Sequence, residues 1–489
     1  MHARVVVVTA YVSVLGVLAL FACHRLYLLL LLVWNRKKRT ETPPAASLPR
    51  VTVQIPVWNE LGVIERALDG AAALDYPREL LEIQVLDDST DETSALIERK
   101  AEELRRSGLA VTHVRRGERA GFKAGALANG LPACQGALVL ILDADFVPAP
   151  ELLQRAVPHF QDAKVGLVQV RWDHANRNAS LLTRVQALLL DAHFLVEQAA
   201  RSRSGRPFKF NGTGGVWRRS AIEDAGGWSW DTLTEDLDLS VRAQLRGWRF
   251  VFLDDVAATG ELPEDLAAFR SQQSRWVKGS AETARKLLGD VWRTPGVPLG
   301  ARLETTVQLL LNAAYPFALA LALLTVPLVG LGVPRAARGI ADLHAALFFL
   351  ATFNVGAFLV ASQARRGLRG ILEAVLLLPL VFALGLGLSL SNARAFLAGL
   401  LRRSSPFVRT PKRGTLAKSP YLASAPLGEA LLELLLTLYL SWGGALAIYS
   451  HRPWALPFQT LLVLGFLACG IKALTASVNS KFRVTRSLS

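Results

Sequence analysis

Two hydrophobic patterns divide the chain. From residue 51 to about residue 300, short apolar runs rich in Val, Ile and Leu alternate with amphipathic stretches, a pattern typical of βαβ units around a mostly parallel sheet. The middle of the chain is therefore predicted to be an α/β domain. The predicted strands are 51–56, 81–88, 109–116, 137–145 and 164–172, and helices are predicted at about 60–74, from Asp91, near 122–130, near 150–161 and after Asp236.

Long apolar segments flank this domain on both sides. Residues 5–23 and 26–34 precede it, and each long segment after it has about the 20 residues that a helix needs to cross a bilayer. We predict a transmembrane anchor at 1–35, transmembrane segments within 301–391, and a transmembrane hairpin at 428–475. The later apolar segments are 306–333, 343–362, 371–391, 428–449 and 455–475.

Basic residues suggest how the chain is oriented. Arg36, Lys37, Lys38 and Arg39 follow the first apolar segment, whereas a cleaved signal peptide carries its charges before the apolar core. We therefore expect a retained anchor of an inner or plasma membrane whose end at residue 35 faces the cytosol. A basic, Pro-rich linker at 36–50 then leads to a cytosolic domain at 51–300 that ends in interfacial helices.

The loop at 392–427 complicates this topology. It holds seven basic and no acidic residues, which favours the cytosol, yet three crossings within 301–391 would place it outside. We give the charges more weight, so one segment within 301–391 is expected to be re-entrant, interfacial or split in two. Residues 476–489 are predicted to form a tail.

Composition narrows the class of protein. The chain is 51% hydrophobic and carries a net charge of +15, but residues 51–300 hold thirty basic and thirty-four acidic side chains. The basic excess therefore lies beside the membrane segments, where it contacts anionic membrane lipid, and nucleic acid is excluded as a partner. The three cysteines show neither metal-ligand nor disulfide spacing.

Acidic residues follow two predicted strands. Asp143 and Asp145 end a very apolar strand, and carboxylates at positions i and i+2 of an extended segment point to the same side. Such a pair suits a Mg²⁺ or Mn²⁺ ion that bridges it to a diphosphate, although a turn acid that caps the next helix would look the same. Asp87 and Asp88 end another strand, where a carboxylate can accept hydrogen bonds from a nucleobase or ribose or can cap the following helix.

Three further groups carry candidate chemistry. Lys123 begins a Gly-flanked helix that could bind phosphate, or is a solvated lysine. Asp236 lies at a helix N-terminus, where the dipole keeps a base ionised, or it is a capping residue. Gln272, Arg275 and Trp276 share one helix face, where Arg can pair with a pyrophosphate and Trp can stack on a sugar, or where both anchor an interfacial helix.

The order of these motifs resembles one family. The series VQIPVWNE, VLDDS, GFKAGAL, LDADF, FNGTGGVWR, TEDLDLS and QQSRW is similar to that of the processive family 2 glycosyltransferases, which include cellulose, hyaluronan and chitin synthases and cellulose-synthase-like mannan and glucan synthases. The resemblance covers about residues 30–290 and the membrane layout. It implies an α/β fold of the GT-A type, followed by an α-helical transmembrane bundle, and an inverting hexosyl transfer.

Residue roles follow from the same resemblance. Asp236 would be the general base and Arg275 would assist departure of the diphosphate, while a Mg²⁺ or Mn²⁺ ion would bind Asp143 and Asp145. The other expected roles are nucleotide-sugar binding by Asp87, Asp88, Lys123, Asp143 and Gln272, and acceptor binding by Trp276, Asn211, Gly212 and Glu235. FVRTPK at 407–412 looks like a gating loop, with Phe407, Arg409, Thr410 and Lys412 as its expected residues; Arg409 replaces the Val of cellulose synthases.

The leading hypothesis is a processive synthase of β-1,4-mannan or glucan that feeds its product into its own membrane channel. Its partners would be a nucleotide-diphospho-sugar of the UDP-glucose or GDP-mannose type, a polysaccharide or lipid acceptor, membrane lipid and an accessory subunit. Single transfer to a lipid, as in ceramide glucosyltransferases, and a non-catalytic nucleotide-sensing transporter are the alternatives. The apolar segments hold few charges (Glu373, Glu429, Glu433 and Lys472), which disfavours the transporter.

Overall fold

A mixed eight-stranded sheet forms the centre of the α/β domain. The computed structural model describes residues 2–38, 40–44, 47–332, 338–403 and 426–486. In the sheet the strand order is β3-β2-β1-β4-β7-β6-β8-β5. The strands are β1 (Val51–Val57), β2 (Leu81–Asp87), β3 (Ala110–Arg115), β4 (Leu138–Ile141), β5 (Val147–Pro148), β6 (Val165–His174), β7 (Gly215–Arg218) and β8 (Arg249–Gly260).

The central strands are parallel, as their sequence predicts. β1 pairs in parallel with β2 and β4, and β2 pairs in parallel with β3, whereas β7 joins the two halves of the sheet as an antiparallel strand. Val53, Ile83 and Leu140 are fully buried, because helices cover both faces of the sheet. The carboxyl ends of β1, β2 and β4 therefore share one edge.

Helices cover the sheet and form a separate apolar bundle. A π-helical segment, Ala192–Gln198, interrupts the helical stretch between the sheet and the bundle. The helices are α1 (His2–Trp34), α2 (Ile64–Ala72), α3 (Thr93–Arg106), α4 (Phe122–Gly130), α5 (Leu152–Ala156), α6 (Leu181–Asp191), α7 (Ala199–Arg203), α8 (Arg219–Asp224), α9 (Glu235–Leu245), α10 (Leu266–Arg293), α11 (Leu299–Leu310), α12 (Ala314–Leu331), α13 (Arg338–Ser362), α14 (Gly367–Gly387), α15 (Ser389–Leu400), α16 (Leu427–Tyr449) and α17 (Leu456–Arg486).

Six helical stretches of the described chain are long and apolar enough to cross a membrane. They match the predicted anchor and the five apolar segments that follow the α/β domain, so the chain has the helices of a membrane protein. These stretches are His2–Trp34, Leu299–Leu331, Asp342–Ser362, Ala364–Gly387, Leu427–Tyr449 and Pro453–Ser477.

The predicted segment 371–391 differs from what the structure shows. α14 ends at Gly387, and α15 begins at Ser389 and packs along α10. Both ends of α14 contact the α/β domain, through Arg184 Nε at 2.8 Å from Glu373 Oε1 and through a cluster that joins Phe269 to Leu388. A re-entrant segment within 301–391 stays a prediction, and α14 is the helix whose contacts support it.

The bundle is bonded to the α/β domain through buried charges. Arg270 of α10 donates to Glu433 Oε2 at 2.8 Å and to Glu429 Oε2 at 2.6 Å, and both acids lie on α16. On the other side, Leu28 and Leu31 of α1 pack on the fully buried Ala200. The two parts therefore share a packed boundary.

Candidate active site

The shared edge of the parallel strands opens into a cavity of about 220 Å³. The chain that follows β1 supplies Trp58, the chain after β2 supplies Asp88, and the turn after β4 supplies Asp143 and Asp145. This first cavity gathers most of the residues that the sequence predicts for donor binding. Its wall also includes Lys123, Asn211, Gly212, Glu235, Asp236, Gln272, Arg275 and Trp276.

The Asp-Ala-Asp motif lies in a turn and not in an extended strand. β4 ends at Ile141, and the Phe146 amide donates to the Asp143 carbonyl at 2.9 Å to close the turn. The prediction of a strand to residue 145 was therefore wrong by a few residues. Asp143 and Asp145 nevertheless line the same cavity, because the turn curls both towards it.

Lys123 holds this edge together electrostatically. Its ammonium lies 2.5 Å from Asp143 Oδ1, 2.9 Å from the Gly212 carbonyl and 3.8 Å from Glu235 Oε1. Burial alone would lower the pKa of Lys123, but Asp143 and Glu235 outweigh burial and raise it. The cavity thus keeps a fixed positive charge beside its carboxylates.

Glu235 and Asp236 begin α9 next to this lysine. Burial raises the pKa of Glu235 to about 7, against the opposing charge of Lys123. Burial also raises the pKa of Asp236, against the charge of Lys209 and a hydrogen bond from the Leu237 amide. A half-buried carboxylate pair with raised pKa values is suited to take up a proton.

The two acids after β2 have different surroundings. Asp87 is 1% exposed, and His113 Nε2 at 3.0 Å and the Ser94 hydroxyl at 2.5 Å contact its carboxylate, so it lies behind the cavity wall. Burial would raise the pKa of Asp87, but these hydrogen bonds lower it to about 2. Asp88 lines the cavity and forms a two-point contact with Arg116, at 2.7 and 2.6 Å. Only Asp88 is placed to touch a ligand in the first cavity.

α10 supplies the opposite wall of the first cavity. Gln272, Arg275 and Trp276 all line it, as the i, i+3, i+4 spacing predicts for one helix face. Burial lowers the pKa of Arg275, and the charges of Glu235, Asp143 and Asp236 oppose this effect. Since an arginine stays charged even so, Arg275 faces the carboxylates as a cation.

A second cavity of about 320 Å³ continues from the first towards the helical bundle. It is lined by Arg25 of α1, Tyr315 of α12 and apolar residues of α13 such as Phe358. Asp236 therefore faces both cavities at the place where they meet. The residues that line both are Trp172, Leu190, Asn211, Thr234, Asp236, Gln272 and Trp276.

The two carboxylates of the turn fit a divalent cation only in part. Within the described ranges no group of three or more His, Cys, Asp or Glu side chains could hold a metal ion by itself. Mg²⁺ and Mn²⁺ commonly take one or two carboxylates and complete their shell with phosphate oxygens and water. Asp143 and Asp145 therefore fit a cation that arrives with a diphosphate.

Sequence reasoning missed several residues of the walls. The Arg119 guanidinium stacks over Trp58, with 3.5 Å between the guanidinium carbon and the centroid of the Trp58 ring. Both residues line the first cavity. Trp58 belongs to the VQIPVWNE motif, so the sequence did contain a signal that could have identified it. His193 and Glu197 line the second cavity and were missed because a π-helical segment has no sequence period of its own. The predicted gating residues Phe407, Arg409, Thr410 and Lys412 lie outside the described residues.

Comparison with known proteins finds relatives of the α/β domain. A family profile described as glycosyltransferase-like family 2 matches residues 49–279. Glucomannan 4-beta-mannosyltransferase 7 of Arabidopsis thaliana is 43% identical over 260 residues, which are 52% of this chain and 47% of that protein. Glucomannan 4-beta-mannosyltransferase 1 of Oryza sativa subsp. japonica is 41% identical over 266 residues, 53% of this chain and 51% of that protein. The chain thus spans about half the length of the curated relatives it matches.

One solved structure shares the fold. A mannosyltransferase from Pyrobaculum calidifontis, in complex with GDP-Man and Mn²⁺, superposes with a TM-score of 0.52 at 25% sequence identity. The match covers 72% of this chain and 98% of that protein. Residues 49–279 therefore match the glycosyltransferase-like family 2 profile, with a fold of the GT-A type and a sequence similar to the glucomannan 4-beta-mannosyltransferases.

Proposed function

We propose that the chain transfers mannose, with inversion, from GDP-mannose to the end of a growing β-1,4-linked mannan or glucomannan. The observation that carries this proposal is the position of Asp236, where the first cavity meets the second. A base between two cavities can contact a sugar donor on one side and an acceptor hydroxyl on the other. Mannose is favoured because the curated relatives are mannosyltransferases by name and the solved relative holds GDP-Man.

The first cavity would hold the donor. Asp88 would accept hydrogen bonds from the nucleoside, with Asp87 behind it as a support. Lys123 and Arg275 would contact the diphosphate, and Asp143 and Asp145 would hold the Mg²⁺ or Mn²⁺ ion that neutralises it. The relative with Mn²⁺ supports a divalent cation, and the choice between the two metals is left to experiment.

The reaction would then proceed in one displacement. Asp236 takes the proton of the acceptor hydroxyl, and that oxygen attacks the anomeric carbon from the face opposite the diphosphate. The bond between the anomeric carbon and the phosphate oxygen breaks, and GDP leaves with the electron pair. Lys123 and Arg275 stabilise its added charge.

The second cavity would hold the acceptor. Trp276 offers an indole face to a pyranose ring, Asn211 and Gln272 offer amides to its hydroxyls, and Gly212 and Glu235 adjoin them. The cavity runs from Asp236 to residues of α1, α12 and α13, so a polymer would leave towards the membrane. Basic residues 36–39 support a cytosolic α/β domain.

The test is transfer by the purified full-length chain in nanodiscs. GDP-mannose, GDP-glucose, UDP-glucose and UDP-GlcNAc are each supplied with Mg²⁺ or Mn²⁺, and the product is sized and digested with endo-β-1,4-mannanase. We expect a mannanase-sensitive polymer from GDP-mannose, and a loss of rate in Asp236→Asn of roughly 10²- to 10⁴-fold with GDP binding retained.

The matched control is Asp69→Asn, which removes an exposed carboxylate of α2 that pairs with Lys100. It should transfer at the wild-type rate. An Asp236→Asn variant as active as wild type would refute the base assignment. A product that carries a single sugar on lipid would show that the protein is a glycolipid synthase and not a polymer synthase.

A further inference from the structure

A buried chain of polar contacts runs from the second cavity to α1. His193 lies in the π-helical segment, and its Nε2 donates to Asn211 Oδ1 at 2.8 Å. The Asn211 amide nitrogen in turn lies 3.4 Å from the Lys209 carbonyl, which orients the carboxamide with its oxygen towards the histidine. The other ring nitrogen, Nδ1, lies 3.4 Å from Glu197 Oε2.

Glu197 is fixed in its own right. Arg201 donates to its Oε1, and Arg25 lies 3.6 Å from its Oε2. Burial would raise the pKa of Glu197, but the charge of Arg201 and the contact with His193 hold it well below the usual range. Glu197 is therefore a permanent anion one helical turn from His193.

The end of this series of polar contacts that lies away from the cavity is bonded to two other helices. Arg201, which is fully buried, donates from Nε to Glu304 Oε1 of α11 at 2.7 Å. His24 of α1 contacts the same oxygen at 3.2 Å. Three packed elements thus hold the arginine and, through Glu197, the imidazole ring.

Asn211 is the end of this chain that reaches substrate space. It lines both cavities, and the next residue, Gly212, has a φ of +87°. A Cβ at Gly212 would lie 3.3 Å from Asp236 Oδ2, so the loop passes directly beside the proposed base. A small rotation of the Asn211 carboxamide would therefore move a hydrogen-bonding group at the place where an acceptor end must lie.

A π-helical turn points to a functional reason for the arrangement. Such turns shift the side chains that follow them and are frequent at functional sites. Here the turn directs His193 into the wall of the second cavity while Glu197, on the same segment, stays bonded to Arg201. A network that only joined helices would not need a member in the cavity wall.

We propose that His193 is a positioning residue for the acceptor sugar: it holds the Asn211 carboxamide at the junction of the two cavities, and the Glu197–Arg201–Glu304 chain holds His193. The inference rests on the proposed function, since it assigns the acceptor to the second cavity. It predicts that losing the histidine weakens acceptor binding while donor binding stays unchanged.

The experiment compares His193→Leu with His193→Gln in the full-length chain. Leucine cannot donate to Asn211, so the KM for mannohexaose should rise roughly 3- to 10-fold, the value of one hydrogen bond, while the KM for GDP-mannose stays within twofold. Glutamine can donate from a similar distance and should recover most of the acceptor affinity. His159→Leu, at a buried histidine that lines neither cavity, is the control and should change neither KM.

Equal loss in the leucine and glutamine variants, or an equal rise in both KM values, would overturn the inference. Calorimetric titration of mannohexaose into GDP-loaded protein distinguishes failure of the positioning role of His193 from failure of the proposed function. If wild-type chain transfers no mannose, the proposed function fails. Weaker oligosaccharide binding in His193→Leu alone would still support the positioning role, and identical binding in all three proteins would refute it.

Discussion

Glu235 and Asp236 are neighbours in sequence, and their half-buried carboxylates lie in the same cavity wall. Burial raises the pKa of each, and the charge of each opposes ionisation of the other. Glu235 takes up a proton as the pH falls through about 7, and the pKa of Asp236 also lies above the ordinary range of an aspartate. Because the proposed base must be unprotonated to accept the acceptor's proton, the transfer rate should fall as the pH falls through the raised pKa of Asp236.

Glu235→Gln should move the acidic limb of the pH–rate profile to lower pH. The change removes the like charge beside Asp236, so the pKa of the remaining carboxylate falls and the base stays ionised further into the acid range. The measurement is kcat/KM for mannose transfer between pH 5 and pH 9. A limb that stays in place would show that the charge of Glu235 does not raise the pKa of the titrating base, and a limb that moves to higher pH would contradict the sign of the coupling.

Residue identities at this site were largely predictable, because short motifs keep chemistry-bearing side chains next to each other in sequence. Asp143, Lys123, Asp236 and Trp276 were all singled out, and all of them line the first cavity. The burial of Asp87 was not predictable. It depends on His113, which approaches from a neighbouring strand 26 positions away, and a single sequence does not show such a contact.

At the scale of elements, α14 and α17 cross at bare backbone. A Cβ on Gly465 would lie 2.0 Å from the Ala383 carbonyl oxygen, and one on Gly387 would lie 2.3 Å from the Gly465 carbonyl oxygen. Small residues allow helices in membranes to approach this closely. The two glycines therefore set the spacing of α14 against the hairpin.

Gly465→Ala should destabilise the chain by about 1–3 kcal/mol, because the added methyl group forces the two backbones apart. The measurement is the midpoint of thermal unfolding in detergent. Gly385→Ala is the matched control on α14, since nothing lies within 4 Å of its Cβ position, and alanine there should leave the midpoint unchanged or raise it slightly. Equal midpoints for both variants would mean that the helices can separate without cost.

The elements themselves were predicted unevenly, for physical reasons. Short apolar runs rich in Val, Ile and Leu predicted β1, β2, β3, β4 and β6, and long uniformly apolar segments predicted the membrane helices. β5, β7 and β8 were missed. β5 has only two residues and β7 only four, while β8 contains two consecutive acids, Asp254 and Asp255. The boundary at residue 388 was missed because hydrophobicity continues across it while the chain turns.

At the scale of the whole molecule, one guanidinium joins the α/β domain to the C-terminal hairpin. The Arg270 side chain is 7% exposed and bonds both Glu433, which is fully buried, and Glu429. Arg394 of α15 also contacts Glu429, at 2.9 Å, but its side chain is 54% exposed. The same acid thus has a buried partner and an exposed one.

Arg270→Met should cost about 3–5 kcal/mol of stability, because it leaves the Glu433 carboxylate buried without its counter-charge. Arg394→Met removes an exposed partner and should cost about 0–1 kcal/mol. Thermal unfolding of both variants in the same detergent gives the comparison. A similar drop for the two would show that water reaches Glu433 and that the buried pair does not hold the halves together.

The contacts of α1 determine whether the α/β domain can be prepared without a membrane. Arg25 lines the second cavity and stacks over Phe358, with 4.6 Å between the guanidinium carbon and the ring centroid, while Leu28 covers Ala200. A shortened chain that began near residue 49 would lose one wall of the cavity and uncover the Glu304 carboxylate that His24 contacts. A water-soluble form therefore calls for polar substitutions on the lipid-facing side of α1, since removing the helix would take away part of the wall of the second cavity.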